Sequence, residues 1–93
     1  MLLNKEFDHD IIIYAFRYTL GRHSYAPGLM RAKLDELWDQ LSEGDRELII
    51  RETEEYVRVE REIHPGEHAF KFDVDGWANW VERKRCEHYG ISE

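Results

Sequence analysis

The chain reads as a mainly α-helical domain, a bundle of about four helices forming one unit over residues 1–93. Apolar residues recur three and four apart in four segments, and residues that start or stop helices bound each segment. The third support is the aromatic content: three Trp, five Tyr and four Phe in 93 residues. Side chains of that size give a short chain enough buried area for a core without disulfides or structural metals.

The first helix is expected from about Asp10 to Leu20, with Ile12, Ile13, Phe16 and Leu20 on its apolar side and Tyr14, Arg17 and Tyr18 on the other. Asp8 or Asp10 can cap its start, and Gly21 supplies a stop with positive φ. The second runs from about Ala26 to Leu41, capped by Ser24, with Pro27 in the first turn, where its missing amide hydrogen has no intrahelical partner. Met30, Leu34, Leu37, Trp38 and Leu41 form its apolar stripe.

Ser42 followed by Asp45 resembles a capping box and opens a third helix from about Glu43 to Ile63. Its inward side is expected to hold Leu48, Ile49, Thr53, Tyr56, Val57 and Ile63, with a break or fraying where "VRVEREI" alternates as a strand does. "HPGEH" marks a turn, and the segment around 67–73 reads as a short strand or an irregular stretch. Asp73 or Asp75 caps a last helix from about Gly76 to His88, with Trp77, Trp80, Val81 and Lys84 on one side and Gly90 at its end.

The net charge is −7, and residues 35–62 hold eleven carboxylates against four arginines, a balance equal to that of the whole chain. Direct binding of nucleic acid through its phosphates needs a dominant basic surface and is not expected. A lone cysteine, Cys86, forms no internal disulfide, and no secretory leader pattern or apolar run of membrane-crossing length is present. A soluble, cytoplasmic protein is the expectation.

Candidate chemistry is sparse. His64, His68, Cys86 and His88 include zinc-ligand types, but Pro-Gly separates the first two and no paired ligand motif occurs, so no metal and no cofactor are expected. Ser24 and Ser42 sit at helix starts, where capping accounts for them, and there is no glycine-rich phosphate loop. The helix-face glutamates lack the desolvated pocket that acid catalysis requires and suit i to i+4 pairs such as Glu47 with Arg51 and Glu54 with Arg58. A non-catalytic protein is the reading that remains.

Two binding surfaces then compete. One is the acidic third helix, with Glu47, Glu54 and Glu55 as contacts and whichever of Trp77 and Trp80 the core leaves exposed as an aromatic anchor. The other is the corner after the first helix, where Arg17, Arg22, His23 and Tyr25 surround the amides that start the second helix and suit an anion such as a nucleotide. The plainer account of that corner is scaffold: arginines tied to the acidic third helix and Tyr25 wedged into the core.

The same corner carries a resemblance. Tyr14, Ala15, Arg17, Tyr18, Leu20, Gly21, Arg22 and Tyr25, with Trp38 beyond, resemble a run near the N-terminus of a family of small phage and prophage proteins without an assigned activity. It covers roughly the first 45 residues. The resemblance implies a phage context, in which small acidic proteins bind and block host proteins, including nucleic-acid-binding effectors of restriction or CRISPR systems. A counter-defence inhibitor in the cytoplasm of an infected or lysogenic bacterium is therefore the leading expectation. A sequestrant of anionic nucleotides and a structural or regulatory phage accessory protein are the alternatives, and the sequence leaves room for a homodimer.

Overall fold

A computed structural model describes residues 9–20, 27–63 and 73–90, and it is all-α: four helices, with no strand among the described residues. The helices are α1 (His9–Thr19), α2 (Pro27–Leu37), α3 (Glu43–Ile63) and α4 (Val74–Tyr89), and a 3₁₀ turn over Trp38–Gln40 extends α2. α3 and α4 pack most closely and run antiparallel, as their cross-links show: Arg61 meets Asp75 at one end, Arg85 meets Glu54 midway, and His88 meets Glu47 at the other. α1 lies against α2 and α3, and α2 also touches α4.

The core forms where the four apolar stripes converge. Phe16 of α1, Leu34 of α2, Ile49, Ile50 and Val57 of α3, and Val74, Trp77, Trp80 and Val81 of α4 are buried with Trp38 and Leu41. Four aromatic rings run through it edge to face, Phe16 to Trp77 at 6.0 Å, Trp77 to Trp80 at 5.6 Å, and Trp80 to Trp38 at 5.9 Å. That geometry sets the positive edge of one ring against the negative face of the next. Two buried threonines are made compatible with the core by their own helices, Thr53 Oγ1 donating to the Ile49 carbonyl at 2.7 Å and Thr19 Oγ1 to the Ala15 carbonyl at 2.8 Å.

Several expectations are met and several corrected. α3 has the expected bounds: the Asp45 amide donates to Ser42 Oγ at 3.1 Å, which caps its start. Gly90 ends α4 in the left-handed region at φ 69°, its amide bonded to the Cys86 carbonyl. The strand-like alternation near Val59 has no effect, since the helix continues unbroken to Ile63. Ile63 itself is 60% exposed, while Ile50, on the opposite flank of the stripe, is buried.

α2 gives way to the tighter turn at Trp38, where Arg46 reaches back from α3. Its Nε donates to the Trp38 carbonyl at 2.9 Å and its Nη2 to the Asp39 carbonyl at 3.1 Å, satisfying carbonyls that a helix end leaves free. α4 starts two residues before the expected Gly76, because Asp73 takes a left-handed backbone, φ 54°, and turns the chain directly into the helix. Its carboxylate leaves the helix end unbonded and pairs with Arg31 Nη2 of α2 at 2.6 Å. A Cβ at position 76 would run into that carboxylate, which is why glycine stands there.

Gly21, Arg22, His23, Ser24 and Tyr25, and the segment 64–72 with His64 and His68, lie outside the described residues. No helix among the described residues is long and apolar enough to cross a membrane.

Candidate functional site

The aromatic half of the acidic surface expected from the sequence is absent. Trp77 and Trp80 are wholly buried, so neither can anchor a partner. The reason is the shape of the core: with one helix wall on each side, α4 turns both indoles inward onto Phe16 and Trp38. Trp80 Nε1 also donates to Asp35 Oδ1 of α2 at 3.0 Å.

The glutamates remain at the surface, but their ionic partners differ from those expected. Glu54 meets Arg85 of α4 at 3.4 Å, Glu55 meets Arg58 at 2.7 Å, and Glu47 faces His88 Nε2 at 3.5 Å. Arg58 bridges Glu55 and Glu62, three residues before it and four after. The middle of α3 is thus a mosaic of both signs. These are solvated pairs that hold the local charge near neutrality.

Negative charge concentrates instead at the corner where α2 passes into α3. Residues 35–47 carry six carboxylates and one cation, Arg46, a balance of −5 within the chain's −7. Arg46 is spent on the Trp38 and Asp39 main-chain carbonyls, away from the side-chain carboxylates. Lys84 neutralises Asp35 at 2.7 Å and Lys33 neutralises Glu36 at 3.1 Å. Asp39 and Glu43 are exposed and have no ion-pair partner among the described residues. Glu43 and Asp45 occupy the first turn of α3, where free amides favour carboxylates. Glu43, Glu47 and His88 also converge there, their ligand-type atoms within 4.8 Å of one another.

On the basic side, Arg17 is committed internally. Its Nε and Nη2 grip both oxygens of Glu52 on α3 at 2.8 and 2.6 Å, a bidentate pair that ties α1 to α3. The bond from Arg17 holds the Glu52 carboxyl below the usual carboxylate range, against the smaller upward push of partial burial. Arg22, His23 and Tyr25, the other members of the proposed anion corner, lie outside the described residues. Beside this pair an open groove of about 600 Å³ has Leu20, Tyr56 and Val59 as its apolar lining and Arg51, Glu52 and Glu55 as its charged one. Burial, and then the negative charges of Glu60 and Asp73, raise the Tyr56 hydroxyl far above its ordinary value, which keeps it a neutral donor.

The charge imbalance at the corner was visible in the sequence, as six acids in thirteen positions. The contribution of His88 was not, since it comes from 41 residues beyond Glu47. The chain matches no family model, no curated protein and no solved structure.

Proposed function

We propose that the chain is a non-catalytic binding protein that docks on a basic surface of a partner protein through the acidic corner between α2 and α3. The observation that carries this reading is the surplus of exposed carboxylate, unpaired among the described residues, at Asp39 and Glu43, beside Glu36 and Glu47. A field of one sign on a small domain accelerates encounter with a surface of the other sign and excludes partners of its own sign. Glu54 and Glu55, already paired with arginines, form the rim of this surface, and the corner forms its centre. In the phage context implied by the resemblance over Tyr14–Tyr25, the partner is a host defence protein whose basic cleft normally receives nucleic acid. Occupying that cleft is the inhibitory act.

The test separates centre from rim. Wild-type protein, an Asp39→Lys/Glu36→Lys variant and a Glu54→Lys/Glu55→Lys variant are used as bait in a bacterial host lysate, and the association rate of the captured protein is measured at several salt concentrations. The corner reversal is expected to slow association by about tenfold or more at low salt, with the rim reversal having a lesser effect. An association rate indifferent to salt and to both reversals removes the charge-docking reading.

A further inference from the structure

We propose that Glu43, Glu47 and His88 form a binding site for a divalent metal ion of the zinc type, held across the seam between α3 and α4. Glu43 and Glu47 stand one turn apart on α3 and so share a face. His88 arrives from the last turn of α4. Its side chain is only 7% exposed, its ring is held edge-on by Tyr89 at 4.8 Å, and its Nε2 points at Glu47 Oε2 from 3.5 Å. That distance is the outer limit of a hydrogen bond, so an imidazole whose side chain is more than nine-tenths buried aims Nε2 into the cluster over a long contact.

The geometry needs little adjustment. The three donor atoms lie within 4.8 Å of one another. Tetrahedral zinc with bonds of about 2.0–2.1 Å places its ligand atoms roughly 3.3 Å apart. Closing the difference is within the rotamer range of Glu43, which is exposed and has no ion pair among the described residues to give up. Two carboxylates and a neutral imidazole sum to −2, which a dication cancels in a corner that carries surplus negative charge. An imidazole in the donor set favours zinc and its first-row neighbours over magnesium and calcium, and three protein ligands leave a fourth position for water. The bound ion clips the first turn of α3 to the last turn of α4. The site shares Glu43 and Glu47 with the docking surface of the proposed function but neither Asp39 nor Glu36, and metal binding is read without a partner, so either reading can fail alone.

The test is isothermal calorimetry and thermal unfolding of the full chain, stripped with chelator and titrated with ZnCl₂, with MgCl₂ as the control. One zinc per chain is expected, with a rise in Tm of about 10 °C at a hundredfold excess over Kd. Magnesium at the same concentration is expected to leave Tm unchanged. Glu43→Gln, an exposed change that leaves folding intact, is expected to weaken zinc binding by at least about tenfold, and His88→Gln by more. A His64→Gln/His68→Gln variant is expected to bind as the wild type does. Absence of zinc binding, binding undiminished by Glu43→Gln, or binding lost only in the His64/His68 variant each overturns the proposal.

Discussion

An ion pair crosses the seam between α2 and α4, and another crosses the seam between α1 and α3, yet they differ in almost every respect that sets their worth. Lys84 of α4 meets Asp35 of α2 at 2.7 Å with its own side chain 7% exposed. The ammonium lies 4.9 Å from the Trp38 ring and 6.0 Å from the Trp80 ring, and Asp35 also accepts the Trp80 indole hydrogen. Arg17 and Glu52 have the better individual geometry, two parallel bonds, but stand in water at 51% and 32% exposure. Solvent screening decides between them: the exposed bidentate pair is screened more than the Lys84 contact, whose ammonium is buried against aromatic rings while Asp35 keeps its edge in water.

The sharpest way to break this comparison is to remove one member of the buried pair. Asp35→Ala leaves Lys84 with only the longer contact to Glu87, at 3.3 Å, and Trp80 Nε1 without its acceptor, and is expected to cost about 2 kcal/mol in urea unfolding. The cost falls short of that for a fully sealed pair because Asp35 keeps contact with water. Lys84→Met removes charge and desolvation together and is expected to stay within about 1 kcal/mol of the wild type. Equal costs for the two substitutions would mean that packing, and not charge, governs the seam.

A second tie across the same seam, Arg31 to Asp73, sharpens it. Gly76→Ala forces the Asp73 carboxylate off its arginine and is expected to destabilise by about 1 kcal/mol, although alanine is the better helix former. In an Asp73→Gly background the obstruction is gone, and the same substitution is expected to stabilise by about 1 kcal/mol. A double-mutant cycle by chemical denaturation reads the change of sign directly.

The smallest effect belongs to the exposed pair and is best seen as a pH dependence. Glu52 titrates below its ordinary value of 4.5 in the folded chain, because Arg17 bonds its charged form. A depressed carboxyl contributes stability that is present above the unfolded value and is lost as pH falls through the lower folded one. Glu52→Gln is therefore expected to lower stability modestly at neutral pH, where the charged pair is formed, and to flatten the acid limb below about pH 4.5, the two proteins converging in acid. An unchanged acid limb would show that the pair contributes nothing.

What the sequence could reveal follows from the range of each interaction. The start of α3 was legible because Ser42 and Asp45 bond within one turn. The exposed flank of α1, Tyr14, Arg17 and Tyr18, followed from helical period alone. The tightening at Trp38 was not legible, since it depends on Arg46 reaching back from the next helix. Nor was the pairing of the α3 glutamates, where spacing on one helix competes with cations presented by α4. Ile63, expected inward, is exposed, and Ile50, outside the expected stripe, is buried, because which flank of α3 is covered depends on where its neighbours lie, which periodicity leaves undetermined. The acidic corner was present in the charge count, but its unpaired state emerges only from what Arg46, Lys33 and Lys84 bind.

The row of edge-to-face rings makes the molecule its own optical gauge. All three tryptophans are buried within it, two ring pairs meeting at 87° and 89°, so indole emission is expected to lie to the blue and near-ultraviolet ellipticity to be strong. Among the described residues the indole contact with the corner's acids is that of Trp80 with Asp35, so a protein settling on Asp39 and Glu43 is expected to leave the colour of the light unchanged. A red shift then has one meaning: α4 has lifted away from its neighbours. Contact and unfolding can thus be told apart in the same cuvette, without attaching a dye.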